Sequence, residues 1–352
     1  MKVLIIAEDL LPGGATIVLR RLIEFYLAEG NEVVCITGNM SGMETLPEPC
    51  IYDADAEKGG YPLRGRMREL RTMHRLLRRY VPDLVVINVS SPGYMYAFMM
   101  QKLPVLYHMH TDIKARGSVF RKLIYPRLRG ENKKIITVSK WHGRHVQTHW
   151  GVHKAVVVVL PNYPDLVAPM REQRDTILTA ARFHWSKNPF IWREVGLQLN
   201  GMLNERGMRM IWCAPRWTTE AQTMQETLPS HMQIIVPECL HELRAHYSRA
   251  AVYLQPSIIE PQGIAVLEAL QNGIPCVVSD GTGMSEAVRQ NITGFIAQQG
   301  NIEAHVEALS DVIVNEEKAR RLGEMGRELV ATEYSASAWR QRYRECIVRA
   351  VT

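Results

Sequence analysis

The 352-residue chain has no apolar run approaching the ~18 residues that a membrane-spanning helix needs. Its first residues, M-K-V-L-I-I-A-E-D-L, turn acidic too soon for a secretory leader and read as a buried strand. Cysteine is scarce and scattered: Cys35, Cys50, Cys213, Cys239, Cys276 and Cys346 show no C-x-x-C spacing. That speaks for free thiols in a reducing cytoplasm and against a zinc site. Without a secretion signal, the sequon Asn291-Ile292-Thr293 is expected to go unused. After the first strand, Pro12-Gly13-Gly14-Ala15 does not supply the G-x-G-x-x-G that a nicotinamide dehydrogenase would want. No nucleophile dyad is evident.

The composition, 46% hydrophobic and 22% charged with a net charge of +6, is that of an ordinary globular protein of two domains. The most informative stretch runs from Pro256 to Ala269, P-S-I-I-E-P-Q-G-I-A-V-L-E-A. An apolar run, Ala251 to Leu254, predicts a buried strand. A loop with Glu260 and Gly263 follows, and then a helix from Ile264 to Gln271. Strand, glycine loop and helix in that order turn backbone N–H groups and a positive helix end towards one spot, where an anion such as phosphate fits. Glu268 lies among Leu267, Ala269 and Leu270, and a carboxylate in such apolar company needs a partner.

Strand and helix alternate through both halves, which predicts two doubly wound, mostly parallel α/β domains. Strands are expected at Val3 to Ala7, Asn31 to Thr37, Leu84 to Asn88, Pro104 to His110, Lys134 to Val138 and Ala155 to Leu160. Gly13 and Gly14 open the first helix and would let a ligand approach its N-terminus. His108 and His110 alternate on one strand and point to one side. With only Asp112 near them, they make an incomplete metal set. The second half starts with a strand at Thr176 to Ala181 and the loop R-F-H-W-S-K-N-P. Its Arg182 and Lys187 can both reach one diphosphate, or else are two solvated cations. Residues 166–175 read as a linker. Gly281-Thr282-Gly283-Met284-Ser285-Glu286 is expected to open a helix.

Two stretches are basic and amphipathic. Residues 64–79 carry seven arginines against Glu69, and residues 114–134 interleave Arg and Lys with Val119, Phe120, Leu123, Ile124 and Tyr125. Each is a solvated face over a core-facing stripe, or a contact for an anionic membrane or a phosphorylated acceptor. No nucleic-acid motif accompanies them, so nucleic acid is not expected as a partner.

Glu260, seven residues, Glu268, with Gly263 between them and then Glu-Ala-Leu-x-x-Gly-x-Pro, resembles the signature of the family 4 retaining glycosyltransferases of GT-B fold. The Arg182-to-Lys187 spacing and Pro161-Asn162 are similar to that family's motifs as well. The resemblance implies two Rossmann-like domains facing across a cleft, and the following roles. Glu260 holds the donor sugar's hydroxyls and Glu268 the nucleotide ribose. The backbone after Gly263, at Ile264 and Ala265, meets the diphosphate. Arg182 and Lys187 neutralise the leaving diphosphate. His110 sits beside the donor sugar, and Gly13 and Gly14 face the donor phosphates or the acceptor. The chain departs from the family's pattern at Gln262, where Phe or Tyr is usual, and at Tyr163, Ala181, Phe183, Thr282 and the turn Ala214-Pro215-Arg216.

The expected domains are 1–165 on the acceptor side, 166–334 for the nucleotide sugar, and a helix 335–352 that crosses back to the first. The expected function is transfer of a sugar, with retention, from a UDP- or GDP-sugar to a glycan or lipid-linked acceptor. That places the chain in bacterial cell-surface polysaccharide or lipopolysaccharide synthesis, cytoplasmic or peripheral at the inner membrane face, with no metal or other cofactor. The alternatives are a soluble small-molecule acceptor, an inverting GT-B enzyme or sugar-nucleotide epimerase, and a basic nucleic-acid-binding protein.

Overall fold

A computed structural model describes residues 1–7, 14–37, 50–53, 63–88, 102–110, 132–169 and 174–351. The chain divides into two compact units, Met1–Pro161 with Trp339–Thr352, and Asn162–Ala338.

Unit 1 contains β1 (Lys2–Ala7), α1 (Gly14–Ala28), β2 (Glu32–Thr37), β3 (Cys50–Tyr52), α2 (Leu63–Tyr80), β4 (Leu84–Asn88), β5 (Val105–His108), β6 (Lys133–Thr137), α3 (Lys140–Trp150) and β7 (Val157–Val159). All strand pairs are parallel, in the order β3-β2-β1-β4-β5-β6-β7. β1 and β4 are continuous apolar runs, as expected of strands covered on both faces. Leu4, Ile6, Ile36, Val85 and Ile87 form one core with Met73 and Leu76 of α2.

Unit 2 contains β8 (Thr176–Ala180), α4 (Pro189–Gln198), α5 (Asn200–Glu205), β9 (Arg209–Cys213), α6 (Thr219–Gln225), β10 (Met232–Ile235), α7 (Leu240–Arg249), β11 (Ala250–Gln255), α8 (Ile264–Gln271), β12 (Cys276–Ser279), β13 (Gly294–Ala297), α9 (Ile302–Val314) and α10 (Glu316–Glu333). Its parallel sheet runs β10-β9-β8-β11-β12-β13. Neighbouring residues on one strand feed opposite cores. Ile177 packs with Trp192, Trp212 and Leu309, whereas Leu178 packs with Tyr247, Val266 and Leu270. The last helix, α11, is Ala336–Val351, and its residues from Trp339 onward belong to unit 1. There Tyr343 and Trp339 lie edge-on to Phe25 of α1, and the Tyr343 and Tyr26 hydroxyls are 2.9 Å apart.

Two local readings differ from the sequence expectation. The start of the expected linker is docked in unit 2. Leu166 and Ala168 are buried in its core, the Ala168 N–H donates to Asn272 Oδ1 at 2.7 Å, and Asn272 Nδ2 donates to the Leu166 carbonyl at 2.8 Å. Residues Gly283–Glu286 form a single 3-10 turn in place of a new helix, with Met284 buried beneath it.

In both sheets the strand order reverses once, between β1 and β4 and between β8 and β11. Ligands of open α/β sheets bind outside the carboxyl ends of the strands at such points.

Candidate functional site

The switch point of unit 2 is formed by the loops after β8 and β11. The loop after β8 carries Arg182 and closes in a 3-10 turn, Trp185–Lys187. Asn188 ends that turn in the left-handed region, φ 57°, and its side chain caps α4, where Pro189 takes the first helical position. The chain therefore reverses sharply just after Lys187. The Ser186 carbonyl accepts from the N–H groups of Ile258 (2.9 Å) and Ile259 (3.2 Å), which ties this loop to the one after β11.

Those ties bring Lys187 onto Glu260. The ammonium and the Glu260 carboxylate form an ion pair whose side chains are 12% and 14% exposed. One ammonium carries three donors, so an ammonium bonded to Glu260 keeps donors for a second acceptor. Arg182 is exposed on the same loop. Both cations act on His184, whose pKa is lowered first by partial burial and then by the charges of Arg182 and Lys187.

Glu260 is held from behind, since its carbonyl accepts from the Gly283 N–H at 2.8 Å. Gly263 sits at φ 80°, and a Cβ there would lie 2.8 Å from Met284 Cγ. Glycine thus meets both a backbone and a space requirement. No side chain caps α8, so the N–H groups of Ile264 and Ala265, its first two residues, point out of the helix end without an intrahelical acceptor. Glu268 is buried on the next turn and accepts from the Tyr247 hydroxyl at 3.0 Å. Tyr247 is the partner that the apolar setting of this carboxylate calls for. Burial, with the Glu268 charge next, pushes the Tyr247 pKa well up, so the phenol stays a donor.

Two departures from the family pattern have a structural reason. Gln262 is buried and satisfies Asn162 on three sides. Its Oε1 accepts from the Asn162 N–H and Nδ2, each at 2.9 Å, and its Nε2 donates to the Asn162 carbonyl at 3.0 Å. Phe183 packs edge-on to Trp212 at 5.2 Å, and Trp212 meets Trp192 in the same way at 5.6 Å.

In unit 1, Asn88 ends β4 and Ala15 lies in the first turn of α1, so both stand at the switch point. His110 Nε2 donates to Asn88 Oδ1 at 2.6 Å, and Asn88 Nδ2 donates to the Ala15 carbonyl at 3.2 Å. This order leaves His110 Nδ1 as the acceptor nitrogen. Burial lowers the His110 pKa to about 4, so the ring is neutral near pH 7. His108 stacks on it, centroids 6.1 Å apart, and lies 3.2 Å from the Tyr343 hydroxyl. His108 is therefore part of the aromatic packing beneath His110.

The structure groups Lys187, Glu260, Gly263, Ile264, Ala265 and Glu268 in one loop cluster, with Arg182 on its exposed side. Gly14 is the first residue of α1, while Gly13 and most of the basic stretch 114–134 lie outside the described residues. Arg71, Arg78 and Arg79 of α2 are exposed, and Arg75 bonds Asp53 at 2.7 Å and 2.9 Å. Asn162 is marked in the sequence by the Pro161-Asn162 motif, but its partnership with Gln262 is not. Asn88, at the end of a strand, and Tyr247, inside a helix, carry no motif, and only the long-range contacts reveal them. Among the described residues no helix is long and apolar enough to cross a membrane, and no group of His, Cys, Asp and Glu could hold a metal ion.

Two sequence profiles match the chain: Glycosyltransferase Family 4 over residues 12–166 and Glycosyl transferases group 1 over residues 210–329. A GDP-mannose-dependent alpha-(1-6)-phosphatidylinositol monomannoside mannosyltransferase of Mycobacterium tuberculosis is 28% identical over 100 residues. That match spans 26% of this chain and only 26% of the mannosyltransferase. Solved structures match over the full length. A glycosyltransferase from Rickettsia africae superposes with a TM-score of 0.81 at 16% identity, covering 100% of this chain and 98% of that one. Anabaena Alr3699/HepE in complex with UDP-glucose gives 0.80 at 16% identity, covering 99% of each chain. The profiles that meet on the two units, the parallel sheets and these neighbours agree: the chain belongs to the family 4 glycosyltransferases of GT-B fold.

Proposed function

We propose that this chain transfers a sugar from a nucleoside-diphosphate donor to a hydroxyl of a glycan or lipid-linked acceptor, with retention at the anomeric carbon. The observation that carries this reading is the cluster at the unit 2 switch point, where Lys187, Glu260 and the open N-terminus of α8 converge. A diphosphate leaving group develops negative charge as the C1–O bond breaks. Lys187, Arg182 and the N–H groups of Ile264 and Ala265 would stabilise that charge. Glu260, oriented by Lys187, would bind sugar hydroxyls, and Glu268, oriented by Tyr247, the ribose. His110, neutral and fixed by Asn88, would accept from the donor sugar through Nδ1. The leaving phosphate oxygen would take the acceptor's proton as the new C1–O bond forms on the same face. No step asks for a metal.

The M. tuberculosis relative is named for GDP-mannose and a phosphatidylinositol acceptor, and the Anabaena neighbour was solved with UDP-glucose. The relative's phosphatidylinositol-based acceptor and the exposed arginines of α2 support an acceptor at an anionic membrane surface.

The test is a transfer assay with UDP-glucose and GDP-mannose as donors and lipid-linked acceptors in anionic vesicles, with the product anomer read by NMR. A product of the donor's own anomeric configuration is expected. An inverted product would refute the retaining chemistry, and transfer that is indifferent to vesicles would refute the membrane acceptor.

A further inference from the structure

β3, the edge strand of unit 1, is only Cys50–Tyr52. Its register on β2 pairs Cys35 with Cys50, Ile36 with Ile51 and Thr37 with Tyr52. Directly paired residues of a parallel ladder project to the same face, and residues one apart project to opposite faces. Ile36 packs with Met73 and Leu76 of α2. Cys35 and Cys50 therefore lie side by side on the other face of the sheet. Adjacent strands run about 4.8 Å apart. That falls within the Cα separation of about 4.4–6.8 Å across which disulfides form. Among the described cysteines no other two are partners in a ladder.

The two thiols are chemically unlike. Cys35 is fully buried, whereas Cys50 is half-buried on the edge strand. The interaction between the two thiols holds Cys50 below the ordinary thiol range and, with burial, raises Cys35 well above it. Cys50 is thus the thiol that a reagent in solution can meet, and the one more readily present as thiolate. Cys35 is placed to react only with whatever Cys50 has become.

We propose that Cys35 and Cys50 form a site of reversible covalent modification, closed to a disulfide by exchange with a small-molecule disulfide. The Cys50 thiolate attacks one sulfur of the reagent, breaks its S–S bond and releases one thiolate, which takes up the proton Cys50 lost. Cys35 then gives up its proton, attacks the Cys50 sulfur and displaces the second thiolate, which takes up that proton. Two protein thiols are oxidised and the reagent is reduced to two free thiols. The product staples the short edge strand to β2 and closes the segment 36–49 into a covalent loop, so oxidation holds the edge of unit 1 more firmly.

The experiment treats the full chain carrying Cys239→Ser, which removes an exposed thiol, with oxidised glutathione. Alkylation, intact mass and non-reducing peptide mapping follow. The expected product is lighter by two hydrogens, has the Cys35 and Cys50 peptides linked, melts at a higher temperature and reverts with dithiothreitol. Cys35→Ser should stop with one glutathione on Cys50. Should that core substitution prevent folding, Cys50→Ser on the edge strand keeps the test: Cys35 then stays an unmodified thiol. The proposal is overturned if the parent chain ends with glutathione on Cys50 and a free Cys35, or if the linkage forms only after denaturation.

Discussion

The two units share an architecture but furnish their switch points differently. Unit 2 gathers charge there: Lys187, Arg182, Glu260, Glu268 and an uncapped helix end. Unit 1 presents neutral hydrogen-bonding groups, His110 on Asn88 and Asn88 on a backbone carbonyl. Like sheets thus carry unlike chemistry, because function resides in the side chains set at the strand ends. Charge suits a diphosphate that departs as an anion. A neutral imidazole suits a sugar, where a fixed charge would cost desolvation.

The largest effect should come from removing the cation that is held in place. Lys187→Ala is expected to lower transfer by about 10²–10³-fold in kcat, the scale for losing one preorganised charge-stabilising donor. The thermal midpoint should fall as well, because Glu260 loses the partner of a largely buried ion pair, so transfer is compared per folded enzyme. Equal activity in the variant would mean that Arg182 and the helix end suffice. Next, Gly263→Ala places a Cβ against Met284 at φ 80°. It should cost about 1–3 kcal/mol in urea unfolding and weaken donor binding, through left-handed strain and the shift of Met284.

Much of the fold was legible because every central strand is an apolar run bounded by turn residues, and the β11–α8 stretch could be placed to within a residue or two. The need of Glu268 for a partner was legible too, but its identity was not, since Tyr247 lies a helix and a strand earlier. The Lys187–Glu260 pair joins residues 73 apart and the Gln262–Asn162 pair residues 100 apart. No local pattern encodes such contacts. They follow from which strands the sheet places side by side, and β8 neighbours β11 only because the order reverses there.

Gln262→Ala tests whether that distant pair supports the site. It leaves the buried Asn162 N–H and Nδ2 without this acceptor and should cost about 1–3 kcal/mol of stability. A fall in donor affinity that exceeds the loss of folded protein would show that the Asn162 clamp also sets the loop of Glu260 and Gly263.

The histidines of unit 1 make a smaller, pH-dependent contribution. Burial holds His108 and His110 below the ordinary value of about 6.5. The unfolded chain therefore binds more protons than the folded one in mildly acid solution. Their contribution is fully present above pH ~6.5 and is lost as the pH falls towards 4, the folded value of His110. His110→Asn should flatten this acid limb in thermal melts taken across that range. A limb of unchanged slope would show that His110 stays exposed enough to titrate normally. The smallest effect is expected from chelation: EDTA should leave transfer unchanged, and a loss restored by a divalent cation would show that Lys187 and the helix end do not carry the leaving-group charge alone.

The central claim is that Lys187, together with the N-terminus of α8, forms a diphosphate site. Calorimetric titration of UDP and GDP into the wild-type chain and into Lys187→Ala tests it most directly. The account predicts micromolar binding of at least one of the two nucleotides to the wild type and its loss in the variant. Equal binding by both proteins, or heat from neither nucleotide with a folded wild type, would contradict it.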